Sequence, residues 1–419
     1  MEDLGHELPL WSMSFFATFL LCIAVLPLTV EAWWGKNRNK SVIAIVLSIP
    51  VLILFAYYGE FEPILHEVEE YFAFIVLLGS LFVVSGGIYL SGDLLATPRT
   101  NTTFLIVGGI IANILGTTGA AMLLIRPMLR TNQERNRTRH IPIFFIFIVA
   151  NVGGCLLPIG DPPLFMGYLR GVPFFWTLNL IPHWLFMMVA LLTIFYFIDS
   201  YQWNRESPEA KRLDVEMFEP IALHGKINLL YIGGILYSVI FLPMPYREGC
   251  MILMAILSLL FTKKEIREKN DFNYAPIIEV AVLFAGIFIT MVPALLILEA
   301  RGGELGVREP WHFFWVTGIL SSFLDNTPTY LTYFSMAQGL TVAEGLPNEI
   351  VGMPLNILTA ISVGAVFMGA NTYIGNGPNF MVKAICEQRG VRMPSFFGYM
   401  LWSIGILFPL FVLVTLIFF

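Results

Sequence analysis

Apolar residues run along this chain in blocks about twenty long, separated by short polar breaks, instead of in the one-sided stripe of a soluble amphipathic helix. The blocks predict membrane-spanning helices near 11–31, 40–58, 70–91, 141–168 and 175–199, and a second set near 226–243, 248–262, 276–299, 351–385 and 396–419. Between the third and fourth block of each set lies an apolar segment interrupted at its middle: 102–129 contains GTTG and 311–337 contains DNTPT. Each is too polar at its centre for one clean span and has room for two half-length helices. Both are read as re-entrant hairpins, which enter and return to the same side. Non-helical backbone at that depth survives only where it is buried in protein or lines a cavity.

Composition agrees. With 57% hydrophobic and 13% charged residues over 419 positions, and a mean hydropathy of +0.75, the chain lacks the polar surface a water-soluble globule of its size needs. The opening MEDLGHELPLW has no basic front or small-residue cleavage site, so the first span is expected to be kept. Cys22, Cys155, Cys250 and Cys386 show no CxxC or Cys/His spacing and read as small buried hydrophobes, not as disulfides or a zinc site. The net charge of −6 matters less than where the charges fall. With the N-terminus outside, 20 of the 24 Lys and Arg lie in inner loops and only Arg170, Arg247, Arg301 and Arg308 outside, as the positive-inside rule requires. Both termini are then expected outside, in the inner (plasma) membrane of a bacterium.

Five crossings per set is an odd number, so the second set enters the membrane from the opposite side. The chain also repeats itself. VGGIIANILGTTGAAML (107–123) aligns without gaps onto VTGILSSFLDNTPTYLT (316–332), and the same offset carries Glu70 onto Glu279. Downstream, IGDPPLFM (159–166) matches IGNGPNFM (374–381), and RGVPFF (170–175) matches RGVRMPSFF (389–397). The expected fold is an all-α polytopic membrane protein made of two inverted repeats, each of five spans and one re-entrant hairpin, with broken helices at the midplane. The first repeat covers 1–200, a cytoplasmic linker 201–225 and the second repeat 226–419.

The chemistry sits where the helices break. Pro162, Pro163 and Pro378 lack N–H groups, and Gly160, Gly375 and Gly377 permit an unwound backbone. Inverted repeats with discontinuous helices describe secondary transporters, whose sites form at the midplane from half-helix ends. Asp161, Gly160, Asn371, Thr372, Asn376 and Asn379 at the knots, with Asp325, Asn326, Thr327, Asn113, Thr117 and Thr118 at the hairpin tips, are the expected transport and ion-binding residues. Na⁺ is assigned to Asp161, Asp325, Asn326 and Asn376. A carboxylate at that depth costs at least about 2.5 kcal/mol, which argues for a role. Asp161 and Asn376 also suit plain helix caps. His66, one turn before Glu70, suggests a proton relay or pH sensor with Glu70 and Glu279, although Glu60, Glu62, Glu67 and Glu69 beside it read as a solvated acidic rim. Arg126 follows the first hairpin and offers a charge to an anion, but reads rather as a snorkelling or membrane-edge residue.

The paired hairpins and broken helices resemble the ion transporter superfamily, which includes NhaD-type sodium/proton antiporters, citrate and dicarboxylate carriers and arsenite permeases. GDPP at 160–163 is similar to the knot of the NhaD-type antiporters and LDNTP at 324–328 to their hairpin, whereas IGNGPNF looks more like segments of the anion-carrying relatives. The resemblance implies a scaffold that dimerises and a mobile unit of hairpins and broken helices.

Two acids at the break points, with no arginine at the knots, favour a sodium/proton antiporter working by elevator-like alternating access, with Na⁺ and H⁺ as cargo and no cofactor. The alternative is a sodium-coupled citrate or dicarboxylate carrier. No HExxH or GxSxG stands in the sequence, so an enzyme is not expected. The expected partners are the lipid bilayer and a second copy of the chain, not nucleic acid.

Overall fold

The computed structural model describes residues 2–419. Helices form at every expected span: Met13–Thr29, Asn37–Tyr58, Glu62–Ser85, His140–Ile148 with Pro162–Leu169, and Ile181–Asn204 in the first half. The second half has Ile227–Phe241, Tyr246–Phe261, Ala275–Arg301, Leu355–Met368 with Gly377–Gln388, and Phe396–Phe418. Seven of the described helical stretches are long and apolar enough to cross a membrane, and the molecule is an all-α polytopic membrane protein.

One of the seven does not run straight. Pro98–Thr131 is helical over 34 residues, about 50 Å if extended at 1.5 Å per residue. Yet Asn101 Nδ2 donates to Asn132 Oδ1 at 2.9 Å and Asn132 Nδ2 donates back to Asn101 Oδ1 at 2.8 Å. The segment therefore doubles back, and it does so at Gly116, whose φ of 73° and ψ of 156° are accessible only without a Cβ. In the second half, Pro310–Phe323 and Asn326–Glu344 meet at Leu324–Asp325, and Arg308 Nε lies 2.8 Å from Glu344 Oε1. This too is a hairpin. Asp325 caps its returning arm, accepting from the Thr327 amide at 3.0 Å.

The broken helices unwind where glycines allow two strands of backbone to touch. A Cβ on Gly160 would collide with the Gly154 carbonyl, and one on Gly375 with the Gly369 carbonyl, at equivalent places in the two halves. Asp161 and Asn376 then stand as extended N-caps with near-identical dihedrals, φ −139°, ψ 140° and φ −153°, ψ 139°. Each hairpin is tied to its own broken helix at matching points. Asn113 donates to the Gly153 carbonyl and accepts from the Leu156 amide, both at 2.7 Å. Ser322 donates to the Met368 carbonyl at 3.1 Å and accepts from Asn371 Nδ2 at 2.9 Å.

The third spans of the two halves cross against each other: Tyr71 Oη donates to the Ala281 carbonyl at 2.9 Å and the Phe74 and Phe284 rings stand 4.8 Å apart. Met13–Thr29 and Asn37–Tyr58 pack on Ala275–Arg301, while Pro310–Phe323 packs on Leu355–Met368.

The third span, expected over 70–91, stops at Ser85, because Gly86 and Gly87 end the helix. Tyr89–Asp93 instead forms strand β1, antiparallel to strand β2, Glu219–His224, with Tyr89 opposite His224. The linker thus carries a strand, and also a helix, Pro208–Glu216, capped by Ser207. Both Asp214 carboxylate oxygens accept from the Ala96 amide, at 2.9 and 3.1 Å. Nearby, Asp199 is fully buried and accepts from Arg135 Nη2 at 2.6 Å and Asn101 Nδ2 at 2.9 Å, with His140 Nε2 2.8 Å away. This network anchors the base of the first hairpin.

Candidate ion and substrate site

Asp161 is the centre. Its carboxylate is 1% exposed, yet every side chain bonded to it is neutral: Thr117 Oγ1 donates to Oδ1 at 2.9 Å, Asn376 Nδ2 to Oδ1 at 3.1 Å, and Asn326 Nδ2 to Oδ2 at 2.6 Å. These donors come from the first hairpin tip, the second broken helix and the second hairpin tip. With Asp161 from the first broken helix, all four interrupted elements meet at one carboxyl group. The Thr117 amide also donates to the Gly160 carbonyl at 2.8 Å, which seats the first tip against the knot.

None of the remaining expected residues bonds a side chain to Asp161. Asn113 spends its amide on the hairpin tie described above. Thr372 donates to the Ser322 carbonyl at 2.5 Å and accepts from the Gly375 amide at 3.2 Å. Asn379 donates to the Gly369 and Thr372 carbonyls at 2.8 and 2.9 Å. Thr327 is fully buried behind Asn326. Asp325 is half-buried and near enough for its charge to act on Asp161. Thr118 and Gly160 line a cavity of about 60 Å³ at the first tip, closed by Leu78 and Phe82 on one side and Pro276 and Ile277 on the other. That volume admits a few waters.

One residue that joins the halves went unnoticed in the sequence. Asn151 is fully buried; its Nδ2 donates to Asn379 Oδ1 at 2.7 Å and to the Ile146 carbonyl at 2.8 Å, and its Oδ1 accepts from Asn376 Nδ2 at 3.2 Å. The signal was available: an amide closing the apolar run 141–150, deep in a membrane span, has to find a partner.

The expected relay splits between two faces. His66 Nε2 lies 3.1 Å from Glu70 Oε1, and Arg170 bonds both Glu67 and Glu70, which are only 5% and 6% exposed. The acidic rim is therefore corrected for Glu67: a guanidinium from the end of the first broken helix draws it inward along with Glu70. Glu279, at the other end of the crossing helices, pairs with buried Lys40 at 2.7 Å. Beside Glu70 opens a cavity of about 410 Å³, lined also by His66, Tyr168 and Arg247.

Hydroxyl, amide and carboxylate oxygens suit a hard cation, and an asparagine turned by half a rotation offers Oδ1 where it now offers Nδ2. No arginine or lysine bonds to Asp161 among the described residues, and no cluster of three or more His, Cys, Asp or Glu able to hold a metal occurs among them. No curated protein matches the chain. The model of the family CitMHS_2, described as "Putative citrate transport", matches residues 5–419, and the chain belongs to that family.

Proposed function

We propose that this protein is a secondary active transporter that carries citrate or a similar polycarboxylate together with Na⁺, the cation being held at Asp161. One observation supports this most: a buried carboxylate from one half, clasped by neutral donors from both halves, with no basic side chain bonded to it. A tricarboxylate entering such a place meets negative charge and no fixed positive charge. It must bring its neutralising charge along, which couples anion to cation. In the cation-bound state Thr117 Oγ1, Asn326 Oδ1 and Asn376 Oδ1 turn toward the ion beside Asp161. Alternating access follows when hairpins and broken helices move together against the frame of Met13–Thr29, Asn37–Tyr58 and their repeat mates. A homodimer, a bacterial inner membrane and outward termini belong to the same proposal.

The second reading is sodium/proton antiport, for which the acid pair Asp161 and Asp325 speaks: Na⁺ and H⁺ would compete for the same carboxylate. Vesicles reconstituted with the protein decide between them. An inward Na⁺ gradient should drive accumulation of labelled citrate, and Asp161→Asn should abolish it while leaving a folded, monodisperse protein. Na⁺-induced alkalinisation of an acidic lumen, reported by an entrapped dye with no citrate present and no citrate uptake, would establish antiport instead. Normal citrate uptake by Asp161→Asn would remove that residue from the mechanism.

A further inference from the structure

Arg126 lies on the returning arm of the first hairpin, nine residues past Thr117, with its side chain nine-tenths buried. Its Nε and Nη1 are buried and make no hydrogen bond. What neutralises it is Asp271, from the loop before Ala275–Arg301; Oδ2 lies 3.4 Å from Arg126 Nε and 3.8 Å from Nη2 of Arg389, out of line for hydrogen bonding to Nε. Asp271 itself is two-thirds exposed, and its φ is +48°, a left-handed conformation that costs energy in any residue but glycine. Two guanidiniums thus share one strained, poorly aligned carboxylate. Buried guanidinium donors left unpaired are expensive, and a carboxylate seated in the Arg fork would satisfy them.

The position adds direction. Arg126 lies nine residues along the hairpin arm from Thr117, and Arg389 caps the far end of the adjacent Gly377–Gln388, whose near end carries Asn376. Thr117 and Asn376 are two of the three donors to Asp161. The distance along the hairpin arm is about 13 Å at 1.5 Å per residue. We propose that Arg126 and Arg389 form a docking site for a carboxylate group of the transported anion at one face of the membrane, and that Asp271 fills it as a tethered stand-in. The incoming carboxylate displaces Asp271 and is held by charge-assisted bonds before moving along the two helices to the centre. This inference rests on the proposed transport of a polycarboxylate.

Citrate transport measured separately from each membrane face, in right-side-out and inverted vesicles, tests it. Asp271→Asn removes the competitor and should lower the KM for citrate at one face several-fold. Arg126→Gln removes the fork and should raise the KM at that same face about tenfold, the effect of one charge-assisted bond; Arg126→Lys should fall between. The other face should keep its KM, and kcat should change little. A purely structural ion pair predicts that Asp271→Asn and Arg126→Gln move KM in the same direction, or at both faces, and either result overturns the docking site while leaving transport intact. Absence of saturable citrate transport in the unmodified protein overturns the proposed function and this inference with it.

Discussion

Replacing Asn151 by alanine should separate the two halves of the site without touching Asp161. The side chain donates to Asn379 Oδ1 and the Ile146 carbonyl and accepts from Asn376, at 2.7, 2.8 and 3.2 Å, all in fully or nearly fully buried surroundings. Three neutral hydrogen bonds contribute about 1 kcal/mol each, and Asn379 Oδ1, which has no other bonded partner among the described residues, becomes a buried orphan costing about 1–3 kcal/mol. Those terms overlap, so the expected loss is about 3–5 kcal/mol. Equilibrium unfolding in mixed detergent micelles, followed by tryptophan fluorescence, measures it. The control is Asn179→Ala, which removes a bond to the Trp176 carbonyl at an exposed position and should change stability by about 0.5 kcal/mol or less. Asn151→Asp keeps the shape and the acceptor but loses both donated bonds, so it should be no milder than alanine. A loss below about 1 kcal/mol for Asn151→Ala would refute the reasoning, because the two halves would then be held by something other than this amide chain.

Three further outcomes are expected. Asp199→Asn leaves Arg135 buried with Glu206 4.0 Å away as its nearest acid, so folded protein recovered by size exclusion should fall with a cost of about 3–5 kcal/mol, and replacing both Arg135 and Asp199 by leucine should restore much of it. Burial, followed by the nearby Glu134 charge, pushes the Asp93 carboxyl up to about 6; a raised folded-state value means stability that is full below about pH 4 and lost as pH rises through about 6, so hydrogen-exchange protection of the β1–β2 ribbon should be greater at pH 4 than at pH 8, and equal protection would refute it. Cysteines at positions 70 and 170, where Arg170 on the first broken helix meets Glu70 on the crossing helix, should stop transport when bridged by a bifunctional thiol reagent and release it when the bridge is cleaved; an undiminished rate would refute movement between those two elements.

How much of this was legible in the sequence depends on the kind of signal. Spans and hairpins were readable because a bilayer demands about twenty apolar residues, and polar tips such as GTTG and DNTPT interrupt that demand visibly. The knots were readable because Pro162 and Pro378 cannot continue a helix. The strand Tyr89–Asp93 was not: YLSGD is short, carries a glycine and owes its form to pairing with β2 more than a hundred residues away. The division of labour among the amides was not legible either. Asn113, Asn326, Asn376 and Asn379 look alike in a string of letters, yet Asn326 and Asn376 turn to Asp161 while Asn113 and Asn379 satisfy backbone. Only the approach of the two halves distinguishes them. Glu67 was misread for the same reason, since Arg170 reaches it from a hundred residues downstream.

The shell is built alike in the two halves except at one cap position. Asp161 and Asn376 occupy the same cap in the two halves, yet only the first is an acid. Two carboxylates at that separation, 3.1 Å between Asp161 Oδ1 and Asn376 Nδ2, would repel each other and compete for one proton. An amide donates to its counterpart instead. The same inequality recurs at the tips, where Thr117 serves the acid of its own half and Asn326 reaches across to it. The two halves therefore build one site between them and not one each. Under the proposed coupling, the cation would be held at Asp161 by donors from both halves, and this clasp would travel with it as the hairpins and broken helices move.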